Sequence, residues 1–166
     1  MKNINRTWRL IISLAIPLFA GFLGSLANYN SLLSWYPSLS KPMFNPPNWI
    51  FAPVWTILFV LMGISLFIIW EQGAKKKKDK DSNYRRSAIT FFGVQLVANV
   101  LWSYLFFFFQ DPSLAFLEII VLWFTIILTI FYFKGLSRLA AWLLFPYLLW
   151  VAFASVLNFV IWQLNY

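Results

Sequence analysis

The chain has 166 residues, of which 61% are hydrophobic and 11% charged, and its mean hydropathy is +0.73. A soluble domain averages about 45–50% apolar and about 25% charged residues, so the composition describes an integral membrane protein whose first partner is the lipid bilayer. With no Cys and no His, disulfides, Cys- or His-built zinc sites, thiol redox chemistry, His-ligated haem and a Ser-His-Asp triad are excluded, and no metal site is expected.

After a short basic start (Lys2, Arg6, Arg9), the first apolar run, about 8–28, is long enough to span a bilayer and reads as a membrane helix rather than a cleaved signal. Pro17 is placed to kink it, and Gly21 and Gly24 give it a flat spot for a close neighbour. Trp35 to Thr56 follows, holding five of the eight prolines and three of the ten tryptophans. It is too broken by proline to be one helix and too aromatic for a solvated linker. It is expected to fold as a lid over a pocket or to lie at the membrane surface.

The second run, about 52–71, is expected to carry Pro53 in its first turn, where a missing N–H costs little. The polar stretch Glu71 to Arg86, with Lys75 to Lys78 in a row, reads as a solvated loop. The remaining runs are about 87–109, 113–133 and 139–164. Asp111-Pro112 makes an N-cap followed by an N1 proline for the fourth. Pro146 falls seven residues into the fifth, where it would free backbone carbonyls. Continuous apolar runs can cross lipid only as helices. The expected fold is therefore an all-α five-transmembrane-helix bundle, one domain over 1–166, with a Pro/Trp-rich loop between the first two helices.

Twelve of the 13 Lys/Arg residues fall on the side of the N-terminus, the second connector and the last connector; Lys41 alone falls on the other. This placement explains the net charge of +8 without nucleic acid. Under the positive-inside rule it puts the N-terminus in the cytoplasm of what reads as a bacterial plasma membrane.

Gln95, Asn99 and Trp102 share one face of the third helix, and Trp150, Ala154 and Asn158 form a stripe at intervals of four on the fifth. The first stripe is read either as interhelical hydrogen bonding or as polar anchors of a ligand cavity; the second, with small Ala152, Ala154 and Ser155 beside the indole, either as tight helix packing or as room for a flat ligand beside an aromatic wall. Glu118, the one carboxylate within an apolar run, is read either as a functional intramembrane acid or as a near-interface group favoured by its helix N-terminus. Trp8, Trp70, Trp142 and Trp162 lie near run ends and read as an interfacial belt. Trp49 fits either that belt or a pocket rim.

Three stretches carry a family resemblance: WYxxLxKPxFxPPxWxFxPVWTxLFxLMG from Trp35 to Gly63, NxxWSxLFF from Asn99 to Phe107, and AWLLFPYLLWVAFASVLNxxIWxLN from Ala141 to Asn165. In these the chain resembles the TspO/MBR family (translocator protein / tryptophan-rich sensory protein, the peripheral benzodiazepine receptor family), in its bacterial form. The resemblance implies a five-helix bundle, usually a homodimer. It also implies a pocket under the first loop that binds porphyrins such as protoporphyrin IX, and synthetic isoquinoline carboxamides and benzodiazepines. The implied role is sensory or regulatory, in a porphyrin or stress response; the alternatives are a light- and oxygen-dependent porphyrin-degrading enzyme and a transporter of tetrapyrroles or other small hydrophobic molecules. By motif position Trp55 and Trp150 would be the photo-oxidised, catalytic tryptophans. Tyr36, Pro46, Asn99, Trp102 and Ala154 would join them in lining the pocket, and Gln95 stands where many members have Asn. No cofactor is required, and without His or Cys a metal-free porphyrin is the better ligand than haem. The sterol-recognition pattern of animal members is missing: the matching region reads Leu157-Asn158-Phe159 and ends Trp162-Gln163. Gly93 is followed four residues on by Val97 rather than by a second small residue of the kind that supports dimers in some members.

Overall fold

The computed structural model describes residues 5–75 and 82–166. Lys2 and residues 76–80 of the basic loop, on which much of the charge asymmetry rests, lie outside them. Among the described residues, five helices are long and apolar enough to cross a membrane: Arg6–Leu33, Asn48–Gly73, Asn83–Phe108, Pro112–Leu136 and Arg138–Asn165. At 1.5 Å per residue each is longer than the roughly 30 Å hydrocarbon core, so their ends extend into the interfaces. The elements are α1 (Arg6–Leu33), α2 (Trp35–Ser38), α3 (Asn48–Lys75), α4 (Ser82–Ser103) with a π-helical turn over Tyr104–Phe108, α5 (Pro112–Leu136), α6 (Arg138–Leu143) and α7 (Phe145–Asn165).

α1 buries Ser13, Pro17, Ala20, Gly24, Ala27 and Ser31. These recur at alternating intervals of four and three, and all are small. Lipid competes equally well for large apolar side chains, so close backbone approach through such a seam is what holds membrane helices together. A Cβ added at Gly63 of α3 would stand 2.8 Å from Leu14 Cα and 2.9 Å from the Ser13 carbonyl; one added at Gly21 would enter the Phe59 ring. The flat spot expected at Gly21 and Gly24 is therefore the contact with Phe59 and Ser103.

α1 packs on α3 and α4, α4 on α5, and α5 on α7. α6 sits against both α3 and α5, tied by the Ser65 hydroxyl donating to the Ala140 carbonyl at 2.7 Å. α3 thus closes on the fifth span at α6. Farther along, α3 and α7 stand apart and aromatic side chains bridge the space between them.

Proline placement differs from expectation in two places. α3 begins at Asn48, so Pro53 is its sixth residue rather than part of its first turn. The Trp49 carbonyl thereby loses its helical donor, a loss near the helix end where water is close. In the fifth span the chain breaks at Leu144, and Pro146 stands in the first turn of α7. There a missing N–H costs little, so Pro146 starts a helix instead of interrupting one. The Asp111 cap is as expected: its carboxylate accepts from the backbone N–H groups of Ser113 and Leu114 ahead of Pro112.

Candidate functional site

Residues 34–47, between α1 and α3, are largely irregular. α2 is a single helical turn that buries Tyr36. The Tyr36 hydroxyl donates to Asn45 Oδ1 at 3.0 Å, and Asn45 Nδ2 donates to the Pro46 carbonyl at 3.1 Å. Tyr36, Asn45 and half-buried Pro46 therefore form one folded unit. Burial raises the Tyr36 pKa above the ordinary phenol value, with the Asn45 hydrogen bond opposing it. The Lys41 ammonium lies 4.7 Å from the Tyr36 ring centroid, and burial lowers its pKa. It donates to the Leu39 carbonyl at 3.1 Å. This segment covers the end of the bundle: the Phe44 ring meets Phe153 of α7 at 6.3 Å, and Ser40 is bonded to Asn165 at the end of α7.

Beneath the segment lie two adjoining aromatic groups. In the first, Trp55 stacks on Phe59 at 5.5 Å and meets the Tyr147 ring edge-on at 6.2 Å. One turn nearer the lid, Phe51 meets Trp150 at 5.9 Å, and Trp150 meets Phe153 at 5.6 Å. Phe51 and Trp55, spaced by four along α3, meet Trp150 and Tyr147 of α7, while Phe59, one turn further, carries the Trp55 ring and packs against Gly21 of α1. The second group holds Tyr36, with Phe106 and Phe107 at 6.4 and 5.8 Å, and Trp102 stacked on Phe106 at 5.4 Å. Its geometry depends on the π turn, in which Phe109 N–H reaches back five residues to the Tyr104 carbonyl. The wide turn is compatible with burying both Phe106 and Phe107.

The polar stripes lie between these groups and the helix core. Asn99 Nδ2 donates to the Tyr147 hydroxyl at 3.1 Å, and Trp102 Nε1 donates to Asn158 Oδ1 at 3.0 Å. Asn158 Nδ2 in turn donates to the Pro112 carbonyl at 2.7 Å, where Pro112 begins α5. These bonds link α4, α5 and α7 and give Asn99 and Trp102 interhelical partners. Gln95 is deeper, with Nε2 3.9 Å from Met62 Sδ. Its Oε1 is buried without a partner, as is Trp150 Nε1. Ala154 is buried on the α7 face that also carries Val151 and Asn158.

The residues singled out in the sequence therefore fall into three places. Trp55 and Trp150 flank the α3–α7 space. Tyr36, Pro46 and Trp102 lie in and under the lid segment. Gln95, Asn99 and Ala154 form the inner wall. Trp49, 73% exposed, faces outward and belongs with the surface aromatics. Tyr147 joins the wall to the tryptophans, and sequence reasoning missed it. Its spacing of three from Trp150 was the available signal. Asn165, which holds the lid, had only its place at the end of the third motif to mark it. A groove of about 450 Å³ opens between α3 and α7, lined by Val54, Ile57, Leu58, Leu61, Pro146, Leu149, Trp150 and Phe153. The site thus has an apolar mouth on the membrane side, next to an indole N–H without an acceptor. Aromatic faces beside an apolar opening with few polar groups are the usual make-up of a small-molecule site.

Residues 13–163 match the TspO/MBR family. The chain is 45% identical over 157 residues to the tryptophan-rich protein TspO of Archaeoglobus fulgidus, covering 95% of this chain and 97% of that one. It is 42% identical over 156 residues to the tryptophan-rich protein TspO of Chlorobaculum tepidum, covering 94% and 95%. It is also similar to the translocator protein of Ovis aries, at 34% identity over 153 residues, covering 90% and 86%. With the five spanning helices and a family match over nearly its whole length, the chain belongs to the TspO/MBR family of multi-pass membrane proteins.

Proposed function

We propose that the protein binds a tetrapyrrole, protoporphyrin IX or a close relative, in the α3–α7 site under the lid segment, and acts as a membrane sensor or regulator of porphyrin or stress status. The observation that carries this reading is Trp150. Its ring forms part of an aromatic wall while its N–H is buried without an acceptor, beside an apolar mouth that a macrocycle could enter from the bilayer. Indole faces stack on a flat ring, and Trp150 Nε1 and Gln95 Oε1 supply one free donor and one free acceptor. Synthetic isoquinoline carboxamides are expected to compete for the same space. The test is a titration of purified protein with protoporphyrin IX in the dark. Saturable quenching of tryptophan fluorescence at micromolar porphyrin, weakened in Trp150→Leu, is expected. No quenching or spectral shift at that concentration overturns the reading.

A second reading is favoured by the shared position of Trp55 and Trp150 at the edges of the same space. An excited porphyrin held there would have two oxidisable side chains beside it, so the protein would degrade porphyrin in light and oxygen. Illuminating the complex and following a new product band tests this. Equal rates in wild type and Trp55→Phe/Trp150→Phe would remove the two tryptophans from the reaction.

The proposal includes a homodimer in a bacterial plasma membrane with the N-terminus cytoplasmic. Because the chain has no Cys, single cysteines at Met43 and Lys134 would report sidedness to an impermeant maleimide. Labelling of position 134 rather than 43 in intact cells would reverse the orientation.

A further inference from the structure

Tyr147 is 1% exposed, and its ring meets Trp55 edge-on at 6.2 Å. A phenol buried this deeply needs a partner for its oxygen and another for its proton. The oxygen has one, since Asn99 Nδ2 donates to it at 3.1 Å. Among the described residues no acceptor takes the proton. The complementary group stands on α5, which packs on both α4 and α7. Glu118 lies beside Ala98 and Leu101, on the turn of α4 that carries Asn99, and is close enough to Tyr147 for the two side chains to interact electrostatically. Its Oε2 is covered by protein and no hydrogen bond reaches it. Among the described residues no lysine, arginine or second carboxylate acts on Glu118; the salt bridges are those of Arg6 and Arg9 with Glu71.

One side chain thus has a proton to share and its neighbour an oxygen to be satisfied, and each unmade bond is costly away from water. A carboxyl buried with no cation beside it is accommodated as the neutral acid. We propose that Glu118 is a positioning residue of the aromatic site: as a neutral carboxyl it accepts a hydrogen bond from the Tyr147 hydroxyl, directly or through one buried water, and completes a chain Asn99–Tyr147–Glu118 across α4, α7 and α5. With its oxygen and its proton both engaged, the phenol is held at one angle against Trp55. The hydroxyl has no proton left to offer a ligand, so at Tyr147 the site presents a ring and an uncharged wall. That selects a ligand whose inward edge is flat and uncharged. The selection rests on the ligand reading of the α3–α7 site given above; the Glu118–Tyr147 pairing does not.

The test uses the full-length protein, first without ligand. The infrared difference between wild type and Glu118→Gln should isolate the C=O stretch of a protonated carboxyl. In a Tyr147→Phe background that band should move to higher frequency, because the hydroxyl that donates to it is gone. Protoporphyrin IX titrations read by tryptophan quenching follow. Glu118→Leu and Tyr147→Phe should each weaken binding about threefold to tenfold, as one lost hydrogen bond implies, and the double variant should be no weaker than either single one. Glu118→Gln is neutral and can accept the same bond, so it should bind like wild type. Three outcomes overturn the proposal: no carboxylic-acid band, or a band unmoved in Tyr147→Phe; Glu118→Leu binding like wild type; or Glu118→Gln as weak as Glu118→Leu, which would mean that charge and not this hydrogen bond is used. A band that moves as expected in a protein that does not bind porphyrin would support the pairing and overturn the ligand reading instead.

Discussion

Asn165 holds the backbone of Ser40 at both its polar atoms: the Ser40 N–H donates to Asn165 Oδ1 at 2.8 Å, and Asn165 Nδ2 donates to the Ser40 carbonyl at 2.9 Å. The end of α7 thereby fastens the lid segment 125 residues away in sequence. Each such bond contributes about 0.5–1.5 kcal/mol net, and these lie near solvent, at the low end. Asn165→Ala is expected to leave the bundle folded but loosen the lid and, with porphyrin bound as proposed above, to raise its dissociation rate about threefold to tenfold. Stopped-flow chase with excess competing ligand measures this; an unchanged rate would show that the lid does not gate the site.

Gly63 and Gly93 make a paired test of the packing. A Cβ at Gly63 meets Leu14 Cα and the Ser13 carbonyl, both backbone, whereas one at Gly93 meets nothing. Overpacking that a side chain cannot relieve costs about 1–3 kcal/mol. Gly63→Ala should therefore lower the melting temperature in detergent by several degrees. Gly93→Ala should leave it unchanged or raise it slightly, because Ala is the better helix former by about 1 kcal/mol.

Asn158 sits between two helices: it accepts from Trp102 Nε1 and donates to the Pro112 carbonyl. Interhelical hydrogen bonds in membranes average only about 0.6 kcal/mol. Asn158→Leu does more than remove two of them, since it strands the Trp102 N–H in the bundle at about 1–3 kcal/mol. The variant should be measurably less stable than wild type, and Asn158→Leu/Trp102→Phe should recover part of the loss because no donor is then left unpaired. A double-mutant cycle on thermal or denaturant unfolding checks both expectations.

The five spans were legible because their apolar runs are long and backbone in lipid has no other form to take. The polar stripes at Gln95, Asn99 and Trp102 and at Trp150, Ala154 and Asn158 were legible from helical spacing alone. Their partners were not: Asn99 to Tyr147 and Trp102 to Asn158 depend on which helices neighbour each other and at what height. The break at Leu144 was hidden because Pro146 is compatible with a kinked helix and with a new one. The π turn at Tyr104–Phe108 had no local signature in its run of aromatic residues. The left-handed backbone at Gln110, with φ of 54°, was equally hidden, since glutamine is not a residue that favours it.

Asp111 makes the start of α5 sensitive to acid. Its carboxylate accepts from the Ser113 hydroxyl and from the backbone N–H groups of Leu114 and Ser113, and the Ser113 hydroxyl and Leu114 N–H bonds are the main causes holding its pKa below the ordinary aspartate value; slight burial opposes them. A carboxylate with a depressed folded-state pKa stabilises the fold above its unfolded pKa of about 3.9 and loses that contribution as pH falls through the lowered value. Neutral pH down to about 5 should therefore leave the α5 cap intact, and stability should fall below about 4. An Asn at an N-cap keeps an acceptor but carries no charge. Asp111→Asn should thus fold at neutral pH with a small loss, and the part of the acid-induced decline that belongs to this cap should vanish. Melting temperatures of the two proteins between pH 3 and 7 decide it: parallel curves would show that Asp111 does not contribute to the acid sensitivity.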